Sequence, residues 1–178
     1  MSNANLIISE KNGVCNIRVS GRANFECGMP LRTFSKNFTS QTAKIIIDLG
    51  ECESMDSTFM GILTMIAIKS RKTGTALELL NASDFTRSLL RGLGVEKMFT
   101  FVSGDGTGAT AAASEINLGD ARINKVDAAR TVVDAHKTLM DVSLDNIAKF
   151  EKVVEYAESD LEKFEKDEAE AEAESEKK

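Results

Sequence analysis

Asp56, Ser57 and Thr58 set a carboxylate and two hydroxyls in succession between a strand-like run, "AKIIIDLG", and a helix-like run that begins at Ser57. A residue that leaves a central strand and enters a helix sits at the carboxyl edge of the sheet, where open α/β sheets place their ligands. Its hydroxyl then lies beside helix N–H groups that have no intrahelical partner and carry partial positive charge. Two roles suit that position, and they are compatible. One of the three residues caps the helix, or the hydroxyl carries a phosphate that the helix end stabilises. A third role, serine nucleophile, requires a base within hydrogen-bond reach. The single histidine, His136, stands far downstream at a heptad position and reads as a partly buried helix residue, so no enzyme is expected. Cys15, Cys27 and Cys52 show no C-x-x-C spacing and read as reduced, buried thiols, with neither a disulfide framework nor a metal site. "GDGTG" at 104–108 lacks the Gly-Lys-Ser/Thr of a phosphate loop and reads as linker. No cofactor is expected.

The elements that must hold Ser57 follow from pattern. "NLIISEKNGVCNIRVSG" is two alternating apolar runs around Asn12-Gly13, a strong hairpin signal. "GRANFECG" at 21–28 reads as a loop by its glycines and Asn24, and Pro30 opens a short amphipathic helix with Leu31, Phe34 and Phe38 on its apolar side. "AKIIIDLG" is a continuous β-branched run, the pattern of a strand covered on both faces. From Ser57 to Thr73 apolar Phe59, Ile62, Leu63 and Ile66 recur at helical spacing, with Gly74 as the stop. The opposite face of that helix carries Ser57, Gly61, Thr64, Ile68 and Lys72, flanked by Met60 and Met65. A small hydroxyl beside an exposed, partly apolar helix surface suits a docking face that a phosphate would spoil. "ALELLN" gives a strand, "SDFTRSLLRGLG" a helix and "EKMFTFV" a last short strand. The order β-β-α-β-α-β-α-β predicts an α/β mixed sheet packed against helices.

Composition divides the chain. Its 178 residues, 42% hydrophobic, suit one compact domain with an extension, or two small domains. Residues 1–102 hold 12 Lys and Arg against 9 Asp and Glu, a net of +3, whereas the remainder has a net of −9. An acidic total argues against nucleic-acid binding, which needs clustered basic residues. No run approaches a membrane span, and the N-terminus lacks the layout of a secretory signal, so the expected location is the cytoplasm. The expected organisation is a domain over 1–102, a Gly/Ala/Ser/Thr-rich linker over 103–119, a long amphipathic helix or helical hairpin over 120–165 and an acidic disordered tail over 166–178. In the helical part Val126, Val133, Met140, Ile147, Val154 and Leu161 fall seven apart, a heptad pattern. Polar His136 and Ser143 in the second slot fit burial against another helix or the domain at least as well as a two-stranded coiled coil.

These residues resemble the core of a STAS domain, as found in bacterial anti-sigma factor antagonists. The resemblance rests on the strand ending in Asp48-Leu49, the junction Met55-Asp56-Ser57-Thr58, Gly61, Gly74 after a basic helix end, the "LELLNAS" strand and "LLRGLGVEKMF". With the hairpin it covers about residues 5 to 102. It implies a STAS-like mixed sheet packed against helices, to which the sequence beyond it adds a long C-terminal helical extension. It also implies a partner switch, in which Ser57 is phosphorylated by an ATP-binding anti-sigma factor that is a serine kinase, and a cognate phosphatase restores it. The unmodified partner-binding surface would comprise Asp56, Thr58, Gly61, Thr64, Met65 and Ile68, together with Gly21 and Asn24 of the loop ending at Phe25. Two positions depart from the family pattern: Phe59 stands where glycine is usual, and Asn24 where an acidic residue is common. STAS domains also work unphosphorylated, as adaptors in signalling assemblies or in lipid- and anion-transport complexes. The second expectation is therefore an adaptor or scaffold whose C-terminal helix assembles it with itself or with a partner, without a phosphate switch.

Overall fold

The structure, a computed structural model, describes residues 4–105, 114–116 and 124–175. The elements are β1 (Asn5–Lys11), β2 (Val14–Ala23), α1 (Phe25–Asn37), β3 (Lys44–Met55), α2 (Ser57–Thr73), β4 (Ala76–Leu80), α3 (Asp84–Gly92), β5 (Thr100–Val102), β6 (Ser114–Ile116), α4 (Lys125–Val142) and α5 (Asp145–Ser175). A 3₁₀ turn at Glu96–Met98 precedes β5. The six strands form one sheet in the order β5-β4-β3-β2-β1-β6. β1 pairs antiparallel with β2 and β6, while β2, β3, β4 and β5 are mutually parallel. Asn12 and Gly13 both have positive φ, which a two-residue turn matched to the strand twist requires.

β3 runs mid-sheet as its β-branched sequence predicts, with Ile45 and Ile47 buried on one side and Asp48 on the other. Against it lie Leu6, Ile17 and Val19 from the hairpin, Leu79 from β4, Leu31 from α1, and Phe59, Ile62, Leu63 and Ile66 from α2, all fully buried. The core thus sits between the sheet and the α1–α2 layer. It aims the N-terminus of α2 out of the carboxyl end of β3. Cys15, Cys27 and Cys52 are free and buried within it, and burial pushes their thiols up to about 12, 12 and 11, so none is a reactive thiolate.

Two expectations need correction. Helix α1 begins at Phe25, and Pro30 lies inside it. The reason is a cap: the Asn24 side chain accepts from the N–H groups of Glu26 and Cys27, and Cys27 Sγ accepts from the Asn24 N–H at 3.3 Å. Asn24, expected as a docking group, also caps this helix. The extension is a hairpin of two helices, one of the two alternatives expected for it, broken at Ser143-Leu144, so the heptad run is interrupted and Ile147 faces solvent. Finally, the stretch from 166, expected as a disordered tail, is helical through Ser175. Glu, Ala and Lys are strong helix formers and no glycine or proline interrupts them. Within the expected linker, Ser114–Ile116 forms β6 on the edge of β1; residues 106–113 and 117–123 lie outside the described residues.

Candidate functional site

Asp56 organises the junction. It is the N-cap of α2, its Oδ1 accepting from the Phe59 N–H at 2.7 Å, and its Oδ2 accepts from the Phe25 N–H at 3.0 Å. Phe25 is the first residue of α1, so one carboxylate closes the N-termini of two helices. Burial raises the Asp56 pKa, and the bonds from the N–H groups of Phe59 and Phe25 oppose that rise without cancelling it.

Ser57 is the first residue of α2 and is half-buried. Its Oγ lies 2.8 Å from Nε2 of His136, which comes from α4. The other ring nitrogen, Nδ1, is 2.8 Å from the carbonyl of Val132. A carbonyl only accepts, so Nδ1 carries the proton; in the neutral ring Nε2 is then the acceptor, and the Ser57 hydroxyl donates to it. Burial lowers the His136 pKa, which favours this neutral form, and the ring packs edge-on against Phe150 at 4.8 Å. A hydroxyl donating to an imidazole resembles an activated nucleophile. The N–H groups that would stabilise an oxyanion are otherwise engaged, since Asp56 takes those of Phe59 and Phe25, and Nδ1 is oriented by a carbonyl rather than a carboxylate. The arrangement holds a hydroxyl in place. Sequence reasoning missed the contact because its partners stand 79 residues apart, and the only available signal was a polar residue within an otherwise apolar helical face.

The outer face of α2, expected to be exposed, is covered. Helix α4 crosses it so closely that a Cβ on Gly61 would stand 2.5 Å from the carbonyl oxygen of Ala135. Thr64 is fully buried, its hydroxyl donating to the Met60 carbonyl, and Thr58 is buried too. On the α1 side, buried Arg32 donates to Asp134 Oδ2 through Nε at 2.9 Å, and Lys36 Nζ lies 3.5 Å from the same oxygen. Met65 and Ile68 are only half-buried. With Lys36, Lys69, Lys72 and Thr138 they line an open cavity of about 360 Å³ beyond the end of the covered part. Gly21, at φ +74, falls in β2 beside a register shift rather than in a loop. Ser57, Gly61 and Thr64 thus form one surface with α4; Met65 and Ile68 extend it, and Gly21 and Asn24 are placed by backbone needs of their own.

The hairpin is fixed at its turn as well. Asn146, fully buried, donates to the carbonyls of Leu93 and Leu139 at 2.9 Å each, and Lys149 Nζ donates to the Gly92 carbonyl. Among the described residues no cluster of His, Cys, Asp or Glu suits a metal ion, and no helix is long and apolar enough to cross a membrane.

The neutral, buried His136 gives stability a pH dependence. Its folded pKa lies below the unfolded value of 6.5, so between the two the unfolded chain binds more protons. The contribution is fully present above pH 6.5 and is lost as the pH falls through the folded pKa. Asp56, with a raised folded pKa, acts in the opposite sense at lower pH, adding stability as it becomes protonated. Urea unfolding is expected to show stability falling as pH drops below about 6.5, with a shallower slope in His136→Gln; equal slopes would refute this.

A family model described as "Mlab, STAS domain" matches residues 8–102. Comparison with curated protein sequences finds no match. Among solved structures, the chain is similar to the Bacillus cell fate determinant SpoIIAA in its phosphorylated form, at 16% identity and a TM-score of 0.48, over 56% of this chain and 91% of that one. It is similar to an anti-sigma factor antagonist from Mycobacterium paratuberculosis, at 21% identity and a TM-score of 0.47, over 56% and 85%. A sulfate transporter family protein from Wolinella succinogenes is 21% identical, with a TM-score of 0.46, over 52% and 80%.

Proposed function

The chain belongs to the STAS domain family, and we propose that it is a partner-switching regulator of the anti-sigma factor antagonist kind, with Ser57 as phospho-acceptor. The partner is a kinase that doubles as anti-sigma factor, and a cognate phosphatase reverses the modification. The nucleotide belongs to the kinase, so the chain uses no cofactor of its own. The observation that carries the reading is the placement of the Ser57 hydroxyl: first turn of α2, outside the carboxyl end of β3, donating to a group on another element. The ester oxygen of a phosphoserine has no proton to donate. Modification therefore ends the donation from Ser57 Oγ to His136, adds about two negative charges next to Asp56, and enlarges the side chain where helices meet. Binding at this surface by the unmodified form would be switched off by the same three effects.

The test is direct. With the cognate kinase and ATP, intact mass is expected to rise by one phosphate, and Ser57→Ala to abolish the increase; phosphopeptide mapping of protein from its native cell checks the same site without a purified kinase. Labelling at another residue, or none from the right kinase, defeats the reading. The scaffold reading is favoured by one separate observation. An apolar cavity of about 570 Å³ lies along the hairpin between Phe25, Val132, Val153, Tyr156 and Phe164, with Tyr156 70% exposed. Self-association there would appear as a dimer mass in sedimentation, lost on Tyr156→Glu.

A further inference from the structure

Three consecutive residues of α4 make the contacts that matter on the STAS surface. Asp134 reaches Arg32 and Lys36 of α1, the Ala135 backbone lies on Gly61 of α2, and His136 accepts from Ser57. Leu139, one turn on, is fully buried beside them. Helix α4 therefore lies in a groove between α1 and α2 whose floor is a glycine and whose ends are a cation pair and a hydroxyl.

We propose that this groove is a docking surface for a helix of another protein, that α4 is its resident occupant, and that the partner must displace it. The partner helix would present an acidic residue, a small residue and a hydrogen-bond acceptor in succession, with an apolar residue one turn later. This rests on the reading of α2 as the partner-binding face.

Two features separate such a groove from ordinary core packing. Gly61 lies inside a helix, where glycine is less favourable than alanine; it admits the backbone of a second helix and serves no turn, its φ being ordinary. The contacts along the groove are polar at both ends, and the ion pair spans the two parts: the cations Arg32 and Lys36 are on the domain and the Asp134 carboxylate is on the occupant. The groove also continues past α4 into the open cavity at Met65 and Ile68, rimmed by Lys36, Lys69 and Lys72. An acidic helix entering there gains the half-buried apolar surface of Met65 and Ile68 and the exposed Lys72 before α4 leaves, while Lys36 is held by Asp134 and Lys69 donates to the Ser35 and Lys36 carbonyls. Apparent affinity for such a helix falls by the fraction of chains in which α4 is seated.

The probe is a fluorescein-labelled synthetic peptide copying residues 124–146, and its D134K version is the control. In fluorescence anisotropy the full chain carrying D134K and A135L, which reverses the charge and crowds Gly61 in cis, is expected to bind the peptide at least about tenfold more tightly than the wild-type chain. The control peptide should bind weakly, and adding G61L to the opened chain should remove binding. Amide exchange of β3 verifies that the opened chain keeps its core; D134K alone serves if the double variant does not. Equal binding by wild-type and opened chains, or no binding by an opened chain with a protected β3, overturns the proposal. So does a wild-type dimer in which crosslinks place α4 of one copy on Gly61 of the other, since the occupant is then a second copy. The assay uses neither kinase nor phosphate: peptide binding without Ser57 phosphate in cells would defeat the switch and leave the groove standing, and the reverse result would defeat the groove alone.

Discussion

Phe59→Ala is expected to lower the stability of the fold by about 3–5 kcal/mol, the range for removing a buried aromatic ring. The ring is fully buried and is among the largest side chains of the core, where it meets the sheet from the first turn of α2. The loss has two parts, transfer of the ring to water and the cavity left behind, and tight packing limits how far neighbours can close in. Because Phe59 also gives its N–H to Asp56, the backbone there is held whatever the side chain, so collapse into the hole is restricted. Urea unfolding should show a lower midpoint with an unchanged slope. A loss under about 1 kcal/mol would mean that the ring is not an anchor. The result also bears on a family departure. A phenylalanine next to the paired hydroxyls points into the core and leaves Ser57 uncovered; the group that covers Ser57 is His136.

Gly61→Leu is expected to unseat α4 while leaving the sheet folded. Even a methyl group at that position would stand 2.5 Å from a backbone oxygen and 2.8 Å from the Ala135 Cβ, so the obstacle is not a flexible side chain that can swing away. Helix propensity alone would favour the substitution by close to 1 kcal/mol; overpacking of about 1–3 kcal/mol, more for a branched side chain, opposes it and wins. Hydrogen exchange should accelerate across 125–142 and remain slow in β3. Uniform protection would show that α4 adapts to the larger side chain, and uniform loss that the domain cannot stand without it.

The fold was legible where the determinants are local. Asn12-Gly13, the β-branched run of β3, and the interval from Ser57 to Gly74 each set their element through nearby residues, and the structure agrees at α2 to the residue. The start of α1 was misread because proline suits a first turn and the Asn24 cap, closed by a cysteine rather than a glutamate, departs from the usual capping pair. The helical hairpin could be read as one of two alternatives, since the polar residues of the second heptad slot weaken a single coiled coil without saying where the chain turns. What joins the extension to the domain was not legible at all. Glycine within α2 looked like part of an exposed small-residue face, and the same smallness is what lets α4 approach; sequence periodicity gives the face but not the element that covers it. Ser57 was found from position and resemblance, and its partner His136 only from three dimensions.

The strand β6 has an effect on this competition. By pairing with β1 it pins the chain at Ile116, with only eight residues between it and the start of α4, so α4 is tethered close to its groove. Short tethers of this kind give effective concentrations of about millimolar. A free helix making the same contacts as α4 would need to exceed that concentration to hold half of the grooves. A partner present at ordinary cellular levels gains entry only by making more contacts than α4 does, or by being held to the chain at a second point.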